Sequence, residues 1–161
     1  MDLSIIIASY NTVNITRRCL HSVFSQTQKI EFEVIVVDNN SIDGSTEMIT
    51  KEFPKVTLIR NTVNLGFAAA QNIGLGMATG RFLLVLNSDV LFVGNPCKTL
   101  IEYLSAAEDN IGVIGPQIIN PDGTIAPSAR RVKTSKPVLV LSMINRHFGL
   151  KRFLPSDTLL R

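Results

Sequence analysis

Three short apolar runs in this chain each end in a cluster of polar residues, and this pattern constrains the fold more than any other feature. The runs span residues 4–8, 33–37 and 81–86 and are rich in Ile, Val and Leu, which is typical of strands buried on both faces. Because ligands bind at the carboxyl ends of the strands in open α/β sheets, the pattern predicts one shared binding rim. The polar clusters are Ser9-Tyr10-Asn11, Asp38-Asn39-Asn40 and Asn87-Ser88-Asp89.

Helix-like segments separate the apolar runs, and this alternation predicts an α/β fold with a mostly parallel central sheet. The predicted helices span residues 15–26, 45–53, 67–78 and 96–107, and the predicted strands span 4–8, 33–37, 56–60, 81–86 and 112–115. Pro121-Asp122-Gly123 predicts a turn after the last strand.

Residues that commonly begin or end helices support these boundaries. Asn14 is the expected cap of the first helix, and Asp43 or Ser45 is the expected cap of the second. Gly80 is the expected C-terminal glycine of the third helix.

The charge of the chain is unevenly distributed. Residues 1–128 carry 8 Lys and Arg against 12 Asp and Glu, a net −4, whereas residues 129–161 carry 8 against 1, a net +7. An acidic body argues against a general nucleic-acid binder. We expect one domain over residues 1–126, followed by a basic tail, residues 127–161, that belongs to this domain or serves interaction. The apolar run 138–144 in the tail leaves self-association and membrane-surface contact open.

Cysteine usage and hydropathy favour a cytoplasmic protein. Cys19 and Cys97 lack the spacing of a zinc site or a disulfide framework, so buried thiols in a reducing compartment are expected. No apolar run approaches the ~20 residues of a membrane span. We therefore expect a soluble chain, either free in the cytoplasm or peripheral at the inner face of the membrane.

The glycine-rich segment 74–80, GLGMATG, is a false dinucleotide-binding motif. A phosphate-binding glycine loop follows a strand and opens a helix, whereas these glycines end a predicted helix and precede a strand. Nicotinamide and flavin cofactors are therefore not expected.

Four motifs in order resemble the family 2 glycosyltransferases of the GT-A fold, which is Rossmann-like. The resemblance covers residues 3–132, and the segment 121–131 is similar to the subgroup called rhamnosyltransferases. It implies transfer of a sugar from a UDP- or dTDP-sugar, with inversion, to a polysaccharide, other saccharide or lipid-linked acceptor. The motifs are SIIIASYN at 4–11, EVIVVDNNSIDGS at 33–45, NLGFAAAQNIG at 64–74 and FLLVLNSDV at 82–90.

The resemblance assigns a nucleotide site to the predicted rim. Asp38 is the expected base-binding carboxylate because it can accept the imide N–H of uracil or thymine; a plain turn residue is the alternative. Phe67 is expected in the core. The other residues expected to contact the nucleotide are Ala8, Ser9, Tyr10, Asn64, Gly66, Asn72, Asn87 and Ser88.

Asn87-Ser88-Asp89 occupies the position of the DxD motif of the family. Asp89 matches the last carboxylate and is the expected ligand of Mg²⁺ or Mn²⁺, whereas Asn87 replaces the first carboxylate. One charged ligand and one neutral oxygen still suit an ion that phosphates and water complete. Arg130 and Arg131 are expected either at phosphate or acceptor or as solvated side chains.

The catalytic base stays unknown. An inverting transfer needs a carboxylate that deprotonates the acceptor, and after Asp122 the only acidic residue is Asp157. His21 and His147 are poor substitutes. We therefore expect the C-terminal part of the full fold to be missing and this chain to hold only the donor-binding part. A non-catalytic nucleotide-binding or assembly module is the main alternative, and a nucleotidyltransferase, which would need a Gly-rich basic loop after the first strand, is the other.

Overall fold

The computed structural model describes residues 1–107 and 111–126. Residues Met1–Ile114 belong to one compact unit, and the described residues 115–126 belong to a second. The first unit carries a four-stranded parallel sheet in the order β3-β2-β1-β4. Its strands are β1 (Leu3–Ser9), β2 (Phe32–Asp38), β3 (Val56–Arg60) and β4 (Phe82–Asn87), and its helices are α1 (Val13–Gln26), α2 (Ser45–Glu52), α3 (Phe67–Met77) and α4 (Pro96–Ala106).

The sheet is covered on both faces, which explains why β1 and β2 are almost continuously apolar. The larger core lies on the face that carries α1, α2 and α4, and its buried residues include Ile5, Leu20 and Ile49. On the opposite face, α3 packs through Ala70 on Ile35 and Val37. Residue Gly74 of α3 lies so close to the side chain of Ile6 that a Cβ would collide with it. The α/β prediction with a mostly parallel sheet is therefore confirmed.

Two of the three predicted helix boundaries were wrong in their chemistry. Helix α1 begins after Thr12 rather than at an Asn14 cap, and its first N–H, that of Val13, donates to Asp43 Oδ2 at 2.8 Å. Helix α2 begins after Gly44, and Asp43, one of its two expected caps, accepts the N–H of its first residue, Ser45, at 3.0 Å. Helix α3 ends at Met77 without a left-handed glycine.

Gly80 has a different role from the predicted cap. A Cβ on Gly80 would stand 2.5 Å from the backbone nitrogen of Ser4 and 2.6 Å from the carbonyl carbon of Leu3. The Gly80 N–H donates to Ser4 Oγ at 2.8 Å. Glycine is needed here because the chain passes directly against β1.

The predicted strand at residues 112–115 is absent, since residues 111–117 carry no regular structure. Two glycines and Pro116 within five residues disfavour a strand ladder there. A short hairpin follows instead, formed by β5 (Ile118–Ile119) and β6 (Ile125–Ala126). The predicted turn at Pro121-Asp122-Gly123 joins them and is confirmed.

Candidate nucleotide site

The carboxyl ends of the parallel strands form one rim, as the polar clusters predicted. Ser9 lies in register with Asp38, and Asp38 lies in register with Arg60 on the outer strand β3. Asn87 at the end of β4 lies in register with Ala8. The polar residues of three distant motifs therefore share one edge of the sheet. Their roles in ligand binding stay predictions.

Asp38 is the most buried polar residue of this rim. Its side chain is 1% exposed, and its Oδ1 accepts the N–H of Ser41 at 2.8 Å. Its Oδ2 is buried and, within residues 1–107 and 111–126, has no hydrogen-bond partner. A buried carboxylate oxygen without a partner is costly. The arrangement leaves one acceptor for a donor that the described chain does not supply.

Two loops beside Asp38 are tied together by reciprocal hydrogen bonds. The N–H of Asn11 donates to Ser41 Oγ at 2.8 Å, and the N–H of Ile42 donates to Asn11 Oδ1 at 2.9 Å. Asn11 and Asn40 adopt positive φ angles of 50° and 68°, a conformation that asparagine tolerates better than most residues. The loop after β1 and the loop after β2 are thus held together as one side of the rim, which we call the wall.

Asp43 strengthens this wall from the second loop. Its Oδ1 accepts from the N–H and hydroxyl of Ser45, while its Oδ2 receives the N–H of Val13. Although burial pushes the pKa of Asp43 upward, the hydrogen bonds from Ser45 and Val13 outweigh it and hold the pKa below its usual value. The carboxylate stays charged and caps α1 from the neighbouring loop.

The predicted residues at the end of β1 have unequal access to a ligand. Ser9 is 2% exposed, and its hydroxyl lies 3.2 Å from both Thr12 Oγ1 and Thr16 Oγ1, so it belongs to a buried hydroxyl cluster. Ala8 is half-buried, and Tyr10 is 48% exposed. Of these three, Tyr10 presents the side chain with the most accessible surface.

The segment before α3 is a turn that glycine and a side-chain hydrogen bond stabilise. Gly66 has φ 80° and ψ 170°, which only glycine adopts readily, and its N–H donates to Asn64 Oδ1 at 2.9 Å. Asn64 therefore shapes the turn and does not cap the helix. The prediction of a core position for Phe67 was wrong, since 55% of this side chain is exposed. Asn72 is exposed as well.

Gln71 is a buried polar residue of α3 that the sequence patterns did not single out. It is 4% exposed, and neither its Oε1 nor its Nε2 has a partner in the described part of the chain. A buried amide without partners is rare in native proteins. Its position next to Asn72 in a motif of the resemblance is the one signal that could have drawn attention to it.

The Asn87-Ser88-Asp89 segment forms a turn at the end of β4, with Asn87 and Asp89 exposed. Beneath it, the buried thiol of Cys19 donates to the Asn87 carbonyl, with sulfur and oxygen 3.7 Å apart. Burial, with a smaller contribution from the nearby Asp89 charge, raises the pKa of Cys19 to about 12. Cys19 and Cys97 are both buried free thiols, as predicted.

The turn presents exposed oxygen atoms rather than a closed metal cage. No cluster of three His, Cys, Asp or Glu side chains suited to a metal occurs among the residues described. Asp89 and Asn87 offer oxygen atoms to solvent, which suits Mg²⁺ or Mn²⁺ if other ligands complete the shell. Arg130, Arg131, His147, Asp157 and the run 138–144 lie outside the described residues.

Curated relatives are similar in sequence to part of this chain. The succinoglycan biosynthesis protein ExoO of Rhizobium meliloti is 32% identical over 123 residues, which cover 76% of this chain and 35% of ExoO. The Escherichia coli protein named UDP-Glc:alpha-D-GlcNAc-diphosphoundecaprenol beta-1,3-glucosyltransferase WfaP is 33% identical over 103 residues, 63% of this chain and 41% of WfaP. The chain thus spans well under half the length of these relatives.

Solved structures share the fold. TarS of S. aureus has a TM-score of 0.60 at 28% identity, covering 65% of this chain and 32% of the TarS chain. The mannosyltransferase PcManGT of Pyrobaculum calidifontis, solved with GDP-Man and Mn²⁺, has a TM-score of 0.55 at 27% identity, covering 62% of this chain and 30% of its own. The predicted likeness to the GT-A fold is confirmed.

The family model described as glycosyl transferase family 2 matches residues 4–158, nearly the whole chain. The matched residues include the four motifs and the rim that they build. This chain belongs to glycosyl transferase family 2.

Proposed function

We propose that this chain binds the donor for a glycosyltransferase that moves a sugar from a UDP- or dTDP-sugar to a saccharide or lipid-linked acceptor, with inversion. The single observation that carries this proposal is Asp38, whose buried Oδ2 has no partner among the described residues. Uracil and thymine present an imide N–H that such an oxygen can accept, whereas adenine presents none on its ring. A pyrimidine base fits the unfilled hydrogen bond.

The names of the relatives support this reading. WfaP is named for a UDP-Glc donor and a diphosphoundecaprenol-linked acceptor, and ExoO is named for succinoglycan biosynthesis. PcManGT was solved with a guanine nucleotide, and guanine also carries a ring N–H. We therefore expect Asp38 to discriminate strongly against adenine and less strongly between uracil and guanine. We assign the chain to polysaccharide synthesis in the cytoplasm, at or near the inner face of the membrane.

No helix among the described residues is long and apolar enough to cross a membrane. Membrane contact and self-association through the basic tail remain proposals that rest on its charge and its apolar run.

A divalent cation is part of the proposal. Asp89, with Asn87 beside it, would hold Mg²⁺ or Mn²⁺ against the diphosphate, and PcManGT was solved with Mn²⁺. Such an ion stabilises the negative charge that develops on the leaving diphosphate. Asp89 contributes its carboxylate, and the turn at the end of β4 fixes its place on the rim.

Calorimetric titration of UDP, dTDP, GDP and ADP tests the proposal. Wild-type chain should bind UDP and dTDP more tightly than ADP. Asp38→Asn keeps the size of the side chain but can present an N–H where the base N–H must bind. This change should cost about 1.5–3 kcal/mol, about a ten- to 150-fold rise in Kd for UDP.

Asp2→Asn is the matched control. Asp2 accepts the N–H of Glu31 at 2.9 Å at the amino end of the sheet, away from the rim, so UDP affinity should not change. Equal affinities for UDP and ADP that Asp38→Asn leaves unaltered would contradict the proposed function.

A further inference from the structure

The chain that leaves β4 is hydrogen-bonded to helix α1 on both sides of Asp89. Before Asp89, the carbonyl of Asn87 accepts the thiol of Cys19, with sulfur and oxygen 3.7 Å apart. After Asp89, the N–H of Phe92 donates to the hydroxyl of Ser22 at 3.1 Å. Cys19 and Ser22 stand one turn apart on the same side of α1. This side of the helix therefore contacts both ends of the segment that carries Asp89.

The hydroxyl of Ser22 both donates and accepts. It donates to the carbonyl of Cys19, three residues earlier in α1, at 2.8 Å, so its oxygen is left to accept the N–H of Phe92. The distance of 3.1 Å between this nitrogen and oxygen is normal for such a bond. Because a thiol is a weak donor, Ser22 supplies the stronger of the two contacts from α1.

Packing and a further hydrogen bond restrict the same segment. Val90 and Phe92 are partly buried against the larger core, to which α1 contributes, whereas Asp89 is exposed. Further along the chain, Asn95 Nδ2 donates to the carbonyl of Gln28, just after α1, at 2.8 Å. The exposed Asp89 thus lies on a short connection that is held at both ends.

We propose that Ser22 is a positioning residue for the divalent cation: through the N–H of Phe92 it holds the segment 88–92 so that Asp89 stays in place at the end of β4. This inference rests on the proposed function, which supplies the cation and the diphosphate. Without the hydroxyl, the segment samples more positions, and Asp89 spends a smaller fraction of the time where it can bind the ion. The apparent affinity for the ion falls in proportion to that fraction.

Calorimetry of UDP with and without a fixed concentration of Mn²⁺ tests this assignment. In Ser22→Ala the N–H of Phe92 loses its acceptor, so the factor by which Mn²⁺ strengthens UDP binding should fall about threefold to tenfold. UDP affinity without Mn²⁺ should change less than twofold, because Asp38 lies at the end of β2, which β1 separates from β4. Ser22→Thr keeps the hydroxyl and should restore the Mn²⁺ effect.

Ser25→Ala is the matched control, one turn further along α1. The hydroxyl of Ser25 donates to the carbonyl of Ser22 at 3.2 Å, which is the same kind of bond to the residue three positions earlier. Ser25 is exposed, and among residues 1–107 and 111–126 its hydroxyl bonds only its own helix. This variant should keep both UDP affinities within twofold of wild type.

Amide hydrogen exchange measures the structural step without any ligand. The N–H of Phe92 should exchange at least threefold faster in Ser22→Ala than in wild type and at an unchanged rate in Ser25→Ala, since exchange reports local opening. The exchange rate of Ile35, in the central strand β2, corrects for any change in global stability.

The outcomes separate the two proposals. A wild-type chain that binds UDP more tightly with Mn²⁺, together with an unchanged Mn²⁺ effect in Ser22→Ala, would overturn the positioning role and leave the proposed function intact. Equal losses of UDP affinity with and without Mn²⁺, an equal effect in Ser25→Ala, or unchanged exchange of the Phe92 N–H in Ser22→Ala would overturn it as well. Wild-type UDP binding without any effect of Mn²⁺ would overturn the proposed cation site and this inference with it.

Discussion

Gly80→Ala should destabilise this chain strongly because a methyl group has no space there. The new Cβ would stand 2.5 Å from the backbone nitrogen of Ser4 and 2.8 Å from its Oγ. Backbone atoms of a central strand cannot rotate away as a side chain could. Overpacking of this kind costs about 1–3 kcal/mol, and losing the hydrogen bond from Gly80 to Ser4 adds about 1 kcal/mol. We expect a loss of about 3 kcal/mol.

Gly76→Ala is the matched control within the preceding helix. A Cβ on Gly76 meets no atom within 4 Å, and α3 is helical there. Alanine should therefore stabilise the chain by about 0.8–1.0 kcal/mol through helix propensity. Urea unfolding followed by circular dichroism measures both free energies. A Gly80→Ala variant within 0.5 kcal/mol of wild type would refute the close approach of this segment to β1.

Four further predictions concern the metal, the pH, the chain as a catalyst and the basic tail. Asp89→Ala should abolish any strengthening of UDP binding by Mn²⁺, whereas Asn87→Asp should increase this strengthening. Titration of Mn²⁺ into wild type and both variants measures the effect. Wild-type UDP binding that does not depend on Mn²⁺ would contradict the proposed metal site. Although burial raises the pKa of Glu33, the hydrogen bonds that it accepts, chiefly from Ser4 and Thr79, together outweigh burial and hold the pKa below its usual value. Its stabilising effect should be complete above about pH 5 and lost as acid protonates the folded form, so urea unfolding of wild type and Glu33→Gln should converge in acid. Transfer to a lipid-linked acceptor by this chain should be no more than trace, because no carboxylate was identified for the general-base step, which contributes about 10²–10⁴-fold. Robust turnover would refute this prediction. A version ending at Ala126 should sediment as a smaller species if the tail drives association, and identical monomers at both lengths would remove that role.

The sequence was most informative for strands that are buried on both faces, because few folds can bury such strands. Runs such as Ile5 to Ile7 can be apolar on both faces only inside a covered parallel sheet, so β1 and β2 and the rim at their carboxyl ends were predicted well. Asp38 stood out for the same reason, because a carboxylate at the end of a buried strand lies at the edge of the core.

Contacts between loops far apart in sequence could not be predicted. Asp43 caps α1 from a position 30 residues downstream of Val13, so local capping rules pointed to Asn14 instead. Gly80 looked like a helix terminator, although its function is to let the backbone pass against Ser4.

A crystal structure of the chain with UDP and Mn²⁺ would test the central claim most directly. The account predicts the uracil imide nitrogen at about 2.7–3.2 Å from Asp38 Oδ2 and the ion beside Asp89 at the end of β4. UDP bound elsewhere, or a base that leaves Asp38 Oδ2 without a hydrogen bond, would contradict it.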